Sequence, residues 1–386
     1  MPIHFSDDEL AGRRRRAGAE LSRRGLDALL CFRQESMYWL TGYDTFGYVF
    51  FQCLVLTADG RMALLTRAPD LRQARFTSVI DDVRVWVDAA GATPEAQLLD
   101  LLRDLGLSDG KLGVEWNAYG LTAQGGFRLQ AALAPAVRLE DASDLVSRLR
   151  LVKSPAELDF VREAGRLADV AFAAAVEETR AGAFEGDVLA ALQGAVYRGG
   201  GDDPSNEQVI GSGPGALMCR YYSGRRHLSD DDQLTLEFAG VWRHYHACLM
   251  RTVRVGPPPA AQRSMHAAAV DALEAAKDAL RPGRPLGDVF DAHARVLDGA
   301  GHRDHRLNAC GYSLGATFAP NWMDSAELSM FFAGNPTPAA AGMVFFIHVI
   351  VFDSPAGLAM TTGQTVIVRD GPPEPVTRAP LGLVVR

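Results

Sequence analysis

The hydrophobic positions in the first third of the chain alternate between strand-length apolar runs and longer stretches of helical period. The short runs predict strands, and the longer stretches predict amphipathic helices. Predicted strands cover residues 28–32, 50–56, 62–66, 83–87 and 111–115, and predicted helices cover residues 8–24 and 93–105. Alternation of this kind indicates an α/β domain, which we place at residues 1–147.

The remainder of the chain, residues 148–386, predicts an α+β domain in which helices are followed by paired strands. Ser154, Pro155 and Glu157 form a helix-start signal within the helical pattern of residues 149–180. Predicted strands cover residues 233–239, 247–255, 342–352 and 361–368, and predicted helices cover residues 262–280 and 286–300. The two parts therefore differ in class.

Composition narrows the possible functions. The chain has 386 residues, of which 48% are hydrophobic and 22% charged, a balance typical of a globular protein. Its formal net charge of −8 argues against binding nucleic acid through phosphates. No apolar run reaches the roughly 18 residues that a membrane helix needs. The five cysteines form no CxxC pair, so we expect a reduced compartment, the cytoplasm.

The segment LEFAGVWRHYHACLMRT (236–252) carries the densest candidate chemistry. It places Glu237 on an otherwise apolar strand, where a buried carboxylate costs free energy unless it is paired or used. Two histidines, a tyrosine, a cysteine and an arginine follow, and such groups suit proton transfer and anion recognition. From the residues alone, Glu237 is either functional or pairs with Arg251 across a hairpin.

This hairpin and five other motifs together resemble the creatinase/prolidase superfamily. The motifs are MYWLTGY (37–43), LRLVKSPAE (149–157), GSGPGA (211–216), GYSLG (311–315) and GMVFF (342–346), in the superfamily's order. The resemblance spans nearly the whole chain. It implies a creatinase-type N-terminal domain and a pita-bread catalytic domain, assembled as a homodimer in which Tyr43 and Asp44 reach the neighbouring subunit's site.

The metallopeptidases of this superfamily bind two metal ions through two aspartates, one histidine and two glutamates. The resemblance places Glu237, Cys248, Tyr312, His348 and either Gly363 or Gln364 at those five positions. None of the usual ligands is kept, and hard divalent ions prefer several carboxylates, so we expect no metal. A single divalent ion held by Glu237, Cys248 and His348 is the alternative, because all three are ligand types.

The superfamily also contains metal-independent C–N hydrolases, and the hairpin resembles the branch that includes creatinase and ectoine hydrolase. The resemblance implies Glu237 as nucleophile or base, with His246 or His348 shuttling the proton. After its Ser-Gly loop that branch has a catalytic histidine, whereas this chain has Arg220. Because arginine stays protonated at neutral pH, Arg220 suits clamping a carboxylate rather than accepting a proton.

We therefore predict metal-independent hydrolysis of an amide, amidine or guanidine C–N bond in a small carboxylate-bearing metabolite. The expected substrate-binding residues are Arg220, Tyr221, Tyr245, Arg251, Tyr312 and Trp322. Two alternative functions remain open: a metal-dependent Xaa-Pro peptidase and a non-catalytic pita-bread binding protein.

Overall fold

The computed structural model describes residues 3–219 and 225–386. It divides into two compact units, the first ending at Arg150 and the second beginning at Leu151. The first unit mixes helices with a six-stranded sheet, and the second is built on one nine-stranded sheet. The predicted fold class, an α/β domain followed by an α+β domain, is confirmed. Within the described residues, no helix has both the length and the apolar character needed to cross a bilayer.

The first unit has a mixed sheet in the order β4-β3-β2-β1-β5-β6. Its strands are Ala28–Cys31 (β1), Cys53–Thr57 (β2), Met62–Arg67 (β3), Asp82–Trp86 (β4), Lys111–Val114 (β5) and Arg138–Asp141 (β6). Its helices are Asp7–Arg24 (α1), Gln34–Thr41 (α2), Leu71–Thr77 (α3), Pro94–Asp104 (α4), Ala123–Leu133 (α5) and Leu145–Arg150 (α6). Apolar clusters cover both sheet faces, since alternate residues of β1 belong to different clusters.

The first unit differs from the sequence prediction at several elements, since α2, α3, α5 and β6 have no predicted counterpart and β2 begins later than expected. Strand β2 begins at Cys53 rather than at residue 50, because β1 ends at Cys31, which pairs with Leu54. Helix α5 was not predicted, since Gly125 and Gly126 lower the helix propensity of its first turn. The Thr122 side chain stabilises that turn by accepting a hydrogen bond from the Gly125 amide.

The second unit has a sheet in the order β11-β10-β12-β13-β9-β8-β7, with β14 paired to β13 and β15 to β9. Its strands are Val209–Ser212 (β7), Asp232–Trp242 (β8), Tyr245–Val255 (β9), Ala309–Ser313 (β10), Met330–Phe332 (β11), Val344–Asp353 (β12), Leu358–Ile367 (β13), Glu374–Pro375 (β14) and Val384–Val385 (β15). Its helices are Pro155–Glu178 (α7), Glu185–Arg198 (α8), Ala260–Ala279 (α9), Gly287–Gly299 (α10) and Ala326–Ser329 (α11).

The start of α7 corrects the prediction of one helix over residues 149–180. The chain forms α6 and α7 with a break between them, because Pro155 lacks a backbone N–H and Ser154 caps the second helix. The capping box is complete: Ser154 accepts from the Glu157 amide, and the Glu157 carboxylate accepts from the Ser154 amide.

Helices α7–α10 cover one face of this sheet. Leu236 and Phe238 of β8 pack against α7 and α8, while Phe345 and Ile347 of β12 pack against α9 and α10. Helix α7 approaches β8 so closely that a Cβ on Gly240 would lie 2.1 Å from the Ala164 carbonyl oxygen. Because side chains alternate along a strand, Glu237 and His348 point to the opposite face.

A two-residue turn fixes how β8 and β9 pair. Arg243 and His244 both have positive φ angles, 53° and 64°, and Trp242 pairs directly with Tyr245. This is the geometry of a type I′ hairpin turn, whose twist matches that of the strands. The turn therefore determines which residues of β9 share a face with Glu237.

His293 of α10 is a buried histidine on the helix-covered side of the sheet. It is 1% exposed, and neither ring nitrogen has a hydrogen-bond partner among the described residues. Burial lowers its pKa to about 4, so the imidazole is neutral in the folded protein at neutral pH. The unfolded chain binds a proton here below about pH 6.5, and the folded chain does so only near pH 4.

Replacing His293 by leucine should make the protein less sensitive to acid. As pH falls from 6.5 towards 4, the wild-type free energy of unfolding falls, and His293 contributes at most about 1.4 kcal/mol per pH unit. Urea unfolding of wild type and His293→Leu at pH 7, 6 and 5 should show a shallower decline for the variant. The exposed His227→Leu control should follow wild type. An unchanged slope in His293→Leu would contradict this account.

Candidate active site

One row of paired residues crosses the open face of the second sheet. Glu237 pairs with Met250, Met250 with Gly363, and Gly363 with His348. Residues directly opposite each other in antiparallel strands share a face, so all four point the same way. Since neighbouring strands lie about 4.8 Å apart, the Glu237 and His348 backbones are roughly 14 Å apart, which leaves room for a small molecule between their side chains.

A cavity of about 110 Å³ lies at this place. Its described lining is Asn206, Val209, Cys219, Glu237, Leu307, Tyr312, Asn321, Trp322, Met323, His348 and Ile350. Among these lining residues Glu237 is the sole carboxylate, and none is a lysine or arginine. Four residues proposed from sequence therefore meet at one cavity: Glu237, Tyr312, Trp322 and His348.

Glu237 is held by a directed chain of hydrogen bonds. The Trp322 indole Nε1 donates to the Tyr312 hydroxyl at 2.8 Å, and the Tyr312 hydroxyl donates to Glu237 Oε1 at 3.3 Å. Because an indole N–H can only donate, the Tyr312 proton is directed towards the carboxylate. Burial, and next the charge of Glu237, raise the pKa of Tyr312 well above its usual value, so the phenol stays protonated.

His348 faces Glu237 across the cavity as a neutral imidazole. It is 7% exposed, and its Nδ1 has no hydrogen-bond partner among the described residues. Burial lowers its pKa to about 3, with a smaller contribution from His293. Its ring packs against those of Tyr312 and Phe346 at centroid distances of 5.6 and 5.5 Å. His348 is thus held in place by ring contacts while it lines the cavity.

Tyr245 and Arg251 lie on the other face of the hairpin, away from the cavity lining. The Tyr245 hydroxyl donates to Glu157 Oε1 at 2.7 Å, beneath α7. The Arg251 guanidinium donates to four backbone carbonyls, those of Met250, Gly363, Ala379 and Pro380. The expectation that these two side chains bind substrate is corrected: the register turns both into the covered side, where each is engaged structurally.

His246 shares the face of Glu237 but lies four residues farther along the hairpin, opposite Val241. That separation is about 13 Å along the strand. Its Nε2 accepts from the Ser205 amide at 3.0 Å, and its Nδ1 lies 2.8 Å from the His244 carbonyl oxygen. Since both nitrogens are engaged within the protein, the expected proton shuttle at His246 is corrected to a structural contact.

Arg220 and Tyr221 lie outside the described residues. Cys248 is fully buried opposite Ala239, and burial raises the pKa of its thiol well above the usual value. Among the described residues, no group of three His, Cys, Asp or Glu side chains is placed to hold a metal ion. The geometry therefore gives no support to a single ion at Glu237, Cys248 and His348.

Several lining residues carried no recognisable signal in the sequence. Asn206, Leu307, Asn321 and Met323 lie in loops, where no periodicity indicates which way a side chain points. Asn321 Oδ1 accepts from the Met323 amide at 3.0 Å, which fixes the orientation of its carboxamide at the cavity. Asn206 and Asn321 thus add amide groups to the carboxylate, hydroxyl and imidazole groups that already line the cavity.

Sequence profiles of two domain families match this chain. The profile described as metallopeptidase family M24 matches residues 159–370, and that described as the creatinase/prolidase N-terminal domain matches residues 13–152. The chain belongs to the M24 family of the creatinase/prolidase superfamily. The resemblance inferred from the ordered motifs is thereby confirmed.

Individual M24 relatives match over the full length. An uncharacterized hydrolase/peptidase, y4tM, of Sinorhizobium fredii is 28% identical, with 100% of this chain and 99% of that protein covered. The ectoine hydrolase of Halomonas elongata is 26% identical, again with 100% and 99% covered. Among solved structures, a recombinant prolidase from Thermococcus sibiricus has a TM-score of 0.86 at 20% identity, covering 99% of this chain and 100% of that one. This last likeness shows the pita-bread fold.

The register of β13 decides which residue lies at the position of the last metal ligand of the M24 family. Gly363, rather than Gln364, lies on the face of Glu237 and His348, while the Gln364 amide donates to the Thr377 carbonyl on the other side. A Cβ on Gly363 would lie 2.7 Å from the Phe346 ring. The aromatic ring thus fills the space where the final glutamate ligand of the family would project.

The remaining donors do not fit the family's two-metal centre. One carboxylate, Glu237, faces one neutral imidazole, His348, while the Tyr312 hydroxyl is already bonded to Trp322 and Glu237. Hard divalent ions require several oxygen ligands, and a protonated phenol does not supply a charged one.

Gly363→Ala tests whether Phe346 occupies this space. The added methyl group should clash with the buried ring and lower the free energy of unfolding by about 1–3 kcal/mol. Combining it with Phe346→Leu should recover part of that loss, so the two effects should be non-additive in urea unfolding. Gly299→Ala, where nothing lies within 4 Å of the new Cβ, is the matched control. Full additivity would show that the space is not shared.

Proposed function

We propose that this chain hydrolyses a C–N bond of the amide, amidine or guanidine type in a small metabolite, without a metal ion. The observation that carries the proposal is the convergence of Glu237 and His348 on one small cavity, with Tyr312 and Trp322 orienting the carboxylate. Full-length similarity to an ectoine hydrolase supports this reaction class.

The two facing groups suit the two tasks of C–N hydrolysis. Water must add its oxygen to the carbon and deliver a proton to the departing nitrogen. Glu237 adds to the carbon itself, or removes a proton from the water that does so. In the base route, Glu237 passes the proton it takes from water to the nitrogen that leaves. In the nucleophile route, the neutral His348 imidazole relays a solvent proton to that nitrogen, and hydrolysis of the acyl-enzyme by water returns the proton to solvent. The Tyr312 hydroxyl keeps the Glu237 carboxyl group oriented towards the cavity.

The cavity favours a compact substrate. Its volume of about 110 Å³ and its apolar walls match a small ring or short chain rather than a peptide of several residues. A substrate carboxylate remains part of the proposal because of Arg220, on sequence grounds alone.

Glu237→Gln should strongly lower the rate of turnover while leaving the fold intact. A panel of ectoine, N-acetylated diamino acids, creatine-like guanidines and Xaa-Pro dipeptides is incubated with protein and a strong chelator, and products are followed by mass spectrometry. Wild type should cleave one small C–N substrate, and Glu237→Gln should lose about 10²–10⁴-fold in rate. Glu274→Gln, on helix α9, is the matched control. Intact-protein mass spectrometry after rapid acid quenching distinguishes a Glu237 nucleophile, which carries the acyl group of the substrate, from a Glu237 base, which does not.

Other results of the same panel overturn the proposal. Dipeptide cleavage that appears only when manganese or zinc replaces the chelator would assign a metal-dependent Xaa-Pro peptidase. Tight binding of a panel member without any turnover would assign a non-catalytic binding protein.

We also propose that the chain is a cytoplasmic homodimer, and an apolar segment of the first unit supports the second copy as its partner. Phe46 and Val49 are 80% and 61% exposed. Exposed apolar patches of this kind mark interaction sites. Tyr43, expected from sequence to reach the partner, is instead fully buried, with its hydroxyl donating to Gln52.

Polar substitutions in this segment should separate the subunits. Light scattering after size exclusion should give wild type twice the chain mass of 41.6 kDa, and Phe46→Ser/Val49→Ser the single mass. Phe127→Ser, which changes an equally exposed aromatic residue on α5, should remain dimeric. A dimeric double variant would place the interface elsewhere.

A further inference from the structure

A buried histidine joins the β8–β9 turn to a loop that lines the cavity. The Ser205 amide donates to His246 Nε2 at 3.0 Å, and Asn206, the next residue, lines the cavity. His246 Nδ1 lies 2.8 Å from the His244 carbonyl oxygen. Ser205 is therefore held by a ring nitrogen whose other side is anchored in the turn.

The segment that leads to Trp322 is tied to the same point. The His246 amide donates to the Gly315 carbonyl at 3.2 Å, and the Thr317 amide donates to the His244 carbonyl at 3.1 Å. The Ser205 hydroxyl donates to the Thr317 carbonyl at 2.6 Å. Three chain segments, two of which carry cavity residues, thus meet at one imidazole.

The contacts determine where the His246 proton lies. A backbone amide can only donate, so Nε2 must present its lone pair to Ser205. In a neutral imidazole the proton is then on Nδ1, which faces the His244 carbonyl and lies 3.2 Å from Thr317 Oγ1. Burial lowers the pKa of His246 to about 3, in agreement with a neutral ring.

The network continues from His246 to Glu237. Thr317 Oγ1 donates to the Trp322 carbonyl at 3.4 Å, the Trp322 indole donates to Tyr312, and Tyr312 donates to Glu237. The first link joins Thr317, at the His246 contact, to Trp322, and the other two join residues that line the cavity. A displacement of Thr317 would therefore move the indole that orients the Tyr312 hydroxyl.

We propose that His246, as the tautomer protonated on Nδ1, is a positioning residue that sets the Trp322–Tyr312 pair against Glu237 and fixes the loop carrying Asn206. Its catalytic consequence rests on the proposed function, whereas its structural consequence at Trp322 does not. The inference assigns His246 to the geometry of the site rather than to the proton transfer.

The tautomer is read directly by nuclear magnetic resonance of protein labelled with ¹⁵N-histidine. The signals lost in His246→Gln identify this ring. We expect a proton on Nδ1 and none on Nε2 at pH 7. A proton on Nε2 would contradict the Ser205 contact and overturn the proposal.

Three variants test the positioning. His246→Gln keeps an acceptor for the Ser205 amide, His246→Leu removes it, and Thr317→Val removes only the hydroxyl. Acrylamide quenching of Trp322, isolated by subtracting the signal of Trp322→Phe, should show loss of protection in His246→Leu and Thr317→Val. His246→Gln should restore most of it, and the remote His302→Gln control should match wild type. If Trp322 is as protected from acrylamide in Thr317→Val as in wild type, the proposed link from Thr317 to the indole does not exist. This result decides the matter even if His246→Leu does not fold.

Turnover of the substrate found by the panel adds the catalytic readout. Misplacement of Glu237 should lower kcat by up to about 10²-fold in His246→Leu, with KM little changed and recovery in His246→Gln. An equal loss in His246→Gln and His246→Leu would overturn the proposal. Because the tautomer and the quenching need no substrate, they decide the positioning even if the panel shows that the proposed reaction is wrong.

Discussion

The two-residue period of the nine-stranded sheet is the constraint on which the site depends. Every side chain of β8, β9, β12 and β13 points either to the face packed under α7–α10 or to the open face. The tight turn at Arg243 and His244 sets the register of β8 and β9, which pairs Glu237 with Met250. The registers of β9 with β13 and of β13 with β12 then add Gly363 and His348 to the same row. If the register of β8 shifted by one residue, the Glu237 side chain would lie under α7 and a leucine side chain would take its place at the cavity.

The same constraint explains what could be predicted from the sequence. The ordered motifs identified the fold and brought Glu237, Tyr312, Trp322 and His348 to one site. They did not exclude Tyr245 and Arg251, because residue type says nothing about the face on which a side chain lies. Recognising the two-residue turn would have been enough to exclude Tyr245 and Arg251 from the site, because the even-numbered residues of β9 then share the face of Glu237. The loop residues Asn206 and Asn321 were beyond prediction, because loop contacts have no local pattern.

The departures from the family's ligands are structurally consistent with one another. Where a ligand side chain is absent, at Gly363, the ring of Phe346 fills the volume. Where a histidine would bind metal, Tyr312 donates to the sole carboxylate of the described lining. A site that had merely lost its ligands would leave a cavity lined by unpaired polar groups, which is costly when buried. Here two of the replaced positions are packed or hydrogen-bonded, since Phe346 fills the volume at Gly363 and Tyr312 donates to Glu237.

His246 and His348 show that burial alone does not assign a role to a histidine. Both lie on the open face, both are buried, and burial lowers both pKa values to about 3. They differ in their partners: the ring nitrogens of His246 are engaged by Ser205 and His244, whereas Nδ1 of His348 has no partner among the described residues. An imidazole whose lone pair and proton are both used inside the protein can only hold its surroundings. They also differ in place, because His348 lines the cavity and His246 does not, and the proposed function gives the proton transfer to His348 on that ground.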